Sequence, residues 1–211
     1  SAYQHVVDKE PTVTRLDEEM GDGDCGKVLL AGATAVRDAL KSGSLYLGDD
    51  LGMTLHQIAG LVEDAMGGTS GVIYCIFLDA LAQGVGSAVA ETAGNSSTED
   101  GTGRAIADSA VEIWSSALPK ALDTLYKYTT ARPGHRTLID ALAPFVETFV
   151  ETKGDVARAV QMADQGAKAT THMKPKRGRA VYTGSTKQIE DAGAAGLCAV
   201  LHGILEGLKS N

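Results

Sequence analysis

A length of 211 residues, with 44% hydrophobic and 22% charged side chains, is typical of one globular domain with a substantial core. The formal net charge of −8 at pH 7 argues against a nucleic-acid-binding surface, because such surfaces neutralise phosphates with basic side chains. We expect no membrane span, since no apolar run approaches the roughly 20 residues that a span requires, and no secretory signal opens the chain. The three cysteines, Cys25, Cys75 and Cys198, are far apart and lack a CxxC spacing, which indicates reduced thiols and a cytoplasmic protein.

Apolar residues recur three or four positions apart along most of the chain, and no segment shows the alternation of a half-buried strand. In chain order this pattern predicts helices over 3–9, 27–41, 50–65, 72–82, 104–128, 138–150, 155–172 and 191–208. We expect Pro11 to stop or restart the first helix, Pro119 to kink or divide the fifth, and Asp49 or Asp50 to cap the third. The Gly- and Ser-rich residues 91–103 predict a loop. The fold class is therefore all-α, with seven or eight helices joined by short loops as antiparallel neighbours.

The stretch LDEEMGDGDCG, Leu16 to Gly26, places three carboxylates within eight residues, at Asp17, Asp22 and Asp24. Glycines between and after them free the backbone to turn all three carboxylates toward one point. Hard divalent cations prefer such oxygen ligands. A solvated acidic surface is the alternative, but the glycines and the mutual repulsion of the carboxylates both favour a cation site.

Two better-known motifs overlap the acidic stretch, and both fail. Residues 21–27 read G-x-x-x-x-G-K, but Val28 stands where a P-loop needs Ser or Thr for its metal, and no apolar strand precedes it. An EF-hand loop that began at Asp22 would place Lys27 at its glycine position and Ala33 at its bidentate glutamate. The stretch is therefore neither a P-loop nor an EF-hand.

Two further stretches indicate anion binding. Residues 67–71 read GGTSG at a predicted helix start, where Thr69 or Ser70 caps the helix and free backbone N–H groups attract a phosphate. An ordinary helix cap is the alternative. Residues 174–179 read KPKRGR, a basic run in an acidic protein, which indicates either a solvated loop or a contact with phosphate.

Four motifs, in this order, resemble the nucleotide-binding L domain of dihydroxyacetone kinases. They are LDEEMGDGDCG as the metal loop, GGTSG as the phosphate turn, RPGHRTLIDALAPF as a helix start, and a late nucleotide motif that combines Gly-Arg-Ala-Val-Tyr-Thr-Gly at 178–184 with DAGA at 191–194. The resemblance covers almost the whole chain, so we expect residues 1–211 to form one ATP- and Mg-binding domain. It implies a barrel of eight antiparallel helices, with ATP or ADP and two magnesium ions at one end.

The resemblance also implies roles for individual residues. Asp17, Asp22 and Asp24 would bind magnesium, and Arg179 would be the cation that stabilises the transition state. The implied nucleotide contacts are Asp22, Gly23, Asp24, Cys25, Gly26, Gly68, Thr69, Ser70, Thr137, Leu138, Asp191, Ala192 and Gly193. Of these, the residues from 22 to 70 would face the phosphates, and those from 137 onward would line the nucleoside.

Some positions depart from the family pattern. His135 replaces an aspartate that would make a capping contact, and Val181 and Ala192 replace a serine and a proline of the nucleotide loop. None of these changes removes a carboxylate of the metal loop.

The implied activity is transfer of the γ-phosphate of ATP to dihydroxyacetone held by a separate K domain. Cys25 stands where the phosphotransferase-system subunit has His, so the pattern is more similar to ATP-dependent kinases in which this domain follows the K domain. We therefore expect an excised C-terminal domain with a truncated first helix, inactive as a kinase without its K domain. The alternatives are an ADP-retaining phosphotransferase-system subunit, a regulatory adaptor, a lipid-binding helical barrel or an FAD cyclase like some animal relatives. The chain could also form a homodimer, and the sequence does not decide this.

Overall fold

The computed structural model describes residues 1–48, 50–95, 103–184 and 187–210. Within these ranges the chain forms eight α-helices, two short 3-10 helices and no strand, which confirms the all-α prediction. The α-helices are α1 (Ala2–Met20), α2 (Cys25–Ser42), α3 (Leu51–Ala65), α4 (Gly68–Asn95), α5 (Gly103–Tyr128), α6 (Ile139–Glu151), α7 (Val156–Ala169) and α8 (Ala192–Lys209). The 3-10 helices, Thr170–His172 and Arg179–Val181, lie between α7 and α8.

The eight helices form a closed ring in chain order. Each helix packs against the next, and α8 packs against α1. The starts of α2, α4, α6 and α8 meet at one end of the ring, where Cys25, Ser70, Leu138 and Gly193 line one cavity. Because the even-numbered helices all begin there, alternate helices run in opposite directions, and the predicted up-and-down antiparallel barrel is confirmed. We call this end of the barrel the site end.

Small side chains let the helices of the ring approach closely. Several core positions are alanines with no exposed surface, namely Ala117, Ala121, Ala141, Ala159, Ala163 and Ala194. At Gly166 in α7, a Cβ atom would lie only 1.9 Å from the backbone oxygen of Asp140 in α6. The close packing of these two helices therefore depends on a glycine at this point, and it holds the start of α6 firmly at the site end.

Two prolines that were expected to interrupt helices lie inside them. α1 continues through Pro11, and α5 continues through Pro119 without being divided. Val6 and Val13, on either side of Pro11, are each 1% exposed. Burial of both halves of α1 against neighbouring helices outweighs the one backbone hydrogen bond that proline removes. The prediction that Pro11 stops or restarts the helix was wrong.

Two predicted boundaries also differ from the structure. α4 begins at Gly68 and extends to Asn95, so Thr69 and Ser70 lie in its first turn and not at its cap. The predicted loop over 91–103 is helical at 91–95 and at 103, and its residues 96–102 lie outside the described residues. The cap of α3 is Asp50, whose side chain accepts a hydrogen bond from Met53 N at 2.8 Å. Asp49 lies outside the described residues.

Helix α4 is long and apolar enough, by length and composition, to cross a membrane. Within Gly68–Thr92, an 18-residue window has a mean hydropathy of 1.7, and about a third of that window (33%) is buried inside the barrel. The sequence-based expectation overlooked this segment because Asp79 and several small polar residues interrupt its apolar run. A central helix of a soluble protein meets the same two criteria.

Candidate functional site

The acidic loop between α1 and α2 brings its three carboxylates together. Asp17, at the end of α1, accepts hydrogen bonds through Oδ2 from the backbone N of Asp24 at 2.9 Å and of Cys25 at 3.0 Å. Asp17 therefore caps the start of α2 with its carboxylate. Gly23 takes a left-handed φ of 78°, which turns the chain back between Asp22 and Asp24. One oxygen from each of the three aspartates lies within 4.8 Å of the other two.

The electrostatics of this cluster favour a bound cation. Burial, and then the negative charges of Asp22 and Asp17, raise the pKa of Asp24 above its usual range, while Arg179 opposes the shift. Arg179 Nε lies 3.1 Å from Asp22 Oδ2, and the two side chains are 72% and 42% exposed. Carboxylate oxygens that face one another in this way form the hard donor set that Mg²⁺ prefers. The residues present therefore fit a magnesium site.

The phosphate-turn motif lies directly beside the acidic loop. Gly68 has a left-handed φ of 69°, and a Cβ atom on Gly71 would lie 2.1 Å from the backbone oxygen of Met66. These two glycines are therefore needed for the tight turn into α4. Ser70 and Cys25 line the same cavity, and α4 contacts α2, so the first turns of the two helices lie side by side. Both helix starts direct free N–H groups toward the same region.

Cys25 is a packing residue in this arrangement and not an activated nucleophile. Burial, reinforced by the charges of Asp17 and Asp191, raises the pKa of its thiol to about 12. The thiol is consequently neutral at physiological pH, and a neutral thiol is a poor nucleophile. Cys25 is a free thiol, as are Cys75 and Cys198.

The segments that were expected to line a nucleoside face the same cavity from the opposite side. Leu138, Gly193 and Gly196 line it together with Cys25 and Ser70. Asp191 caps α8 by accepting a hydrogen bond from Ala194 N at 3.0 Å. Thr137 uses its hydroxyl to accept from Ile139 N at 3.2 Å, and Ala192 is buried as the first residue of α8. These two helix starts therefore form a second wall of the site end.

The cavity itself is small. Its volume of about 10 Å³ is room for about one water molecule, so a lipid would need a much larger space than this cavity provides. The lipid-binding alternative gains no support from it. The adaptor, FAD cyclase and homodimer alternatives stay predictions.

Of the predicted contact residues, only Cys25, Ser70, Leu138 and Gly193 line the cavity, and three of the others are placed as follows. Arg179 is 72% exposed, and in the structure its partner is Asp22. Thr69 is exposed in the first turn of α4. A Cβ atom on Gly26 would lie 2.4 Å from Thr14 Oγ1 in α1, so close helix packing already requires a glycine there. Its N–H group, like that of Lys27, has no acceptor within the first turn of α2.

Sequence reasoning missed the residues that hold the turn before α6. Asp140 accepts from the backbone N of Gly134 and, at 2.8 Å, of Thr137, so this residue supplies the cap placed in doubt by His135. His135 instead accepts from Arg132 N at 3.2 Å through Nδ1. The spacing Thr137-x-x-Asp140 is a recognisable capping pattern and was a usable signal. Arg136, with its guanidinium fully buried, had no comparable signal.

Comparisons with known proteins agree with this geometry. The model of the DAK2 domain matches residues 19–206. Dihydroxyacetone kinase 1 of Saccharomyces cerevisiae is 41% identical over 208 residues, which are 99% of this chain and 33% of that protein. Dihydroxyacetone kinase 2 of the same yeast is 43% identical over 208 residues, covering 95% of this chain and 32% of that protein.

A solved structure shares the fold. The dihydroxyacetone kinase from C. freundii in complex with AMP-PNP and Mg²⁺ superimposes with a TM-score of 0.68 at 25% identity, over 98% of this chain and 32% of that one. The chain thus spans about a third of the length of the kinases it matches. Because the DAK2 match covers most of its residues and the barrel is the same, the chain belongs to the DAK2 domain family.

Proposed function

We propose that this chain binds Mg²⁺ and ATP and is the phosphoryl-donor domain of a dihydroxyacetone kinase. The observation that carries the proposal is the cluster of three aspartate oxygens within 4.8 Å of one another, at the end where the even-numbered helices begin. Acidic side chains alone would repel a triphosphate, whereas a divalent cation bound between the carboxylates and the phosphates attracts both. The related C. freundii kinase, solved with AMP-PNP and Mg²⁺, supports this choice of ligands.

Asp17, Asp22 and Asp24 are the proposed magnesium ligands. Their carboxylates offer two oxygens each, which is enough for the two ions that the family resemblance implies. Bound magnesium would neutralise the phosphate charge and hold the phosphoryl group for transfer. Asp17 also caps α2 through Oδ2, so its carboxylate has a fixed orientation.

The triphosphate would lie across the starts of α2 and α4, where backbone N–H groups and the Ser70 hydroxyl are available. The nucleoside would then lie against the side of Leu138 and Gly193, outside the small cavity that they line. Arg179, exposed and paired with the exposed Asp22, would turn toward the transferred phosphoryl group and stabilise its charge. Phosphoryl transfer needs positioning and charge neutralisation more than covalent help from the protein. The acceptor triose would be held by a K domain, in the two thirds of the related kinases that this chain does not span.

Calorimetric titration of Mg-ATP into the chain and into Asp22→Asn tests the proposal. The substitution removes one negative charge from the cluster while leaving the helix cap at Asp17 intact. We expect the affinity for Mg-ATP to fall at least about tenfold, equivalent to about 1.4 kcal/mol. The matched control is Asp123→Asn, which makes the same charge change at an exposed position of α5 and should leave the affinity unchanged. Equal affinities for D22N and the unaltered chain would contradict the metal assignment.

A further inference from the structure

Among the residues whose burial the structure describes, Arg136 is the largest side chain that the barrel buries completely, with 2% of its side chain exposed. Its backbone takes a φ of 60°, in the left-handed region that a non-glycine residue adopts only when its surroundings require it. A buried guanidinium also has to be paired and hydrogen-bonded to be tolerated. Both features indicate that the fold requires this side chain at this position.

The partners that the described residues provide for the Arg136 side chain all belong to the short segment that leads into α8. Its Nη2 donates to the backbone oxygens of Ile189 at 2.9 Å and Glu190 at 3.4 Å. Its Nη1 lies 3.8 Å from Asp191 Oδ2. Burial raises the pKa of Asp191 to about 6, and the charge of Arg136 opposes that shift. The guanidinium therefore holds three consecutive residues in place.

A second buried contact holds the same segment from the other side. The backbone N of Asp191 donates to Thr170 Oγ1 at 2.8 Å, and Thr170 has no exposed surface. Asp191 in turn caps α8, and two residues later Gly193 lines the cavity. The position of the first turn of α8 is thus set by Arg136 and Thr170 together.

Arg136 also lies two residues before Leu138, which faces Gly193 across the cavity. A Cβ atom on Gly193 would lie 3.5 Å from Leu138 Cβ, so the gap between the two walls is narrow. The hydrogen bonds and ion pair that the described part of the chain shows for Arg136 include none to the acidic loop or to the start of α4. Loss of the guanidinium should consequently disturb one side of the site end and leave the other in place.

We propose that Arg136 is a positioning residue that sets the spacing between Leu138 and the start of α8, and thereby the preference for a nucleoside triphosphate over a bare triphosphate. The inference rests on the proposed function, in which the phosphates lie at the acidic loop and the nucleoside at these two helix starts. A purely structural role would lower the stability of the barrel and weaken both ligands alike.

The test compares Mg-ATP with magnesium tripolyphosphate, which has the phosphates but no nucleoside, by calorimetric titration. For Arg136→Met, which keeps a long unbranched side chain, we expect the Kd for Mg-ATP to rise at least about tenfold, since charge-assisted hydrogen bonds are lost. The Kd for tripolyphosphate should stay within about twofold. Arg136→Lys keeps the charge but lacks the planar fork, so it should restore part of the preference. Thermal unfolding monitors the stability of each variant.

Thr170→Val serves as a second variant that removes the other support of Asp191 without changing any charge. It should weaken Mg-ATP selectively in the same direction, and it keeps the test decisive if R136M does not fold. Equal weakening of both ligands, or no change in either, in the folded variants would overturn the inference. If the unaltered chain binds neither ligand, the proposed function fails and this inference fails with it.

Discussion

Replacement of Asp140 by Ala should destabilise the turn that begins α6 more than an ordinary substitution does. Asp140 is 3% exposed, and its two carboxylate oxygens accept from the backbone N of Gly134 and of Thr137. Hydrogen bonds to a charged group contribute about 1.5–3 kcal/mol each, so the loss of two predicts about 3–6 kcal/mol. That is a large fraction of the roughly 5–15 kcal/mol by which a domain is stable.

Urea unfolding followed by circular dichroism measures this loss. D140A should unfold at a much lower urea concentration with little change in the slope of the transition. Asp140→Asn keeps one acceptor oxygen and should lose about half as much, while Asp123→Asn at the surface should stay within about 0.5 kcal/mol of the unaltered chain. If D140A lowers the free energy of unfolding by less than about 1 kcal/mol, packing stabilises this turn and the carboxylate of Asp140 does not.

Two further predictions concern pH and packing. Burial raises the pKa of Asp191 from 3.8 to about 6, so between these values the native state keeps a proton that the unfolded chain has lost, and stability falls as pH rises. Asp191→Asn removes this pH dependence. When urea unfolding is measured from pH 4 to 7, the free energy of unfolding of the variant should rise by up to about 3 kcal/mol relative to that of the unaltered chain. A difference between the two proteins that stays constant with pH would contradict the burial of a charge at Asp191. Gly166→Ala places a Cβ atom 1.9 Å from the oxygen of Asp140 and should cost at least about 1–3 kcal/mol in thermal unfolding. The control Gly60→Ala has open space within α3 and should stabilise by up to about 1 kcal/mol, and equal effects of the two would refute the packing argument.

Helices and caps were predictable where the signal is local. Asp50, Asp155 and Asp191 each cap a helix through a side-chain oxygen, at 2.8, 2.9 and 3.0 Å from the backbone N three residues later. A cap of this kind depends only on the residues of one turn, and for that reason it can be recognised in a sequence. The acidic loop was predictable for a similar reason, because Asp17, Asp22 and Asp24 are joined by so few residues.

Predictions failed where distant packing overrides a local preference. Pro11 disfavours a helix locally, yet α1 continues through it because Val6 and Val13 are buried against neighbouring helices. Arg136 gave no sign of burial in the sequence, since its partners at 189–191 are more than fifty residues away in the chain. Asp140 lies between these cases, because its capping pattern is local but its burial comes from the contact of α6 with α7.

The amino-acid order by itself determined that this protein is all-α, that three carboxylates share one short loop, and that its motifs follow the order of the dihydroxyacetone kinase L domain. Only the tertiary structure decided that Cys25, Ser70, Leu138 and Gly193 meet at one end of a closed barrel, and that Arg136 supports that meeting point. The reason is physical. Periodicity and capping act within a few residues, whereas closure of the ring depends on α8 packing against α1, at opposite ends of the chain.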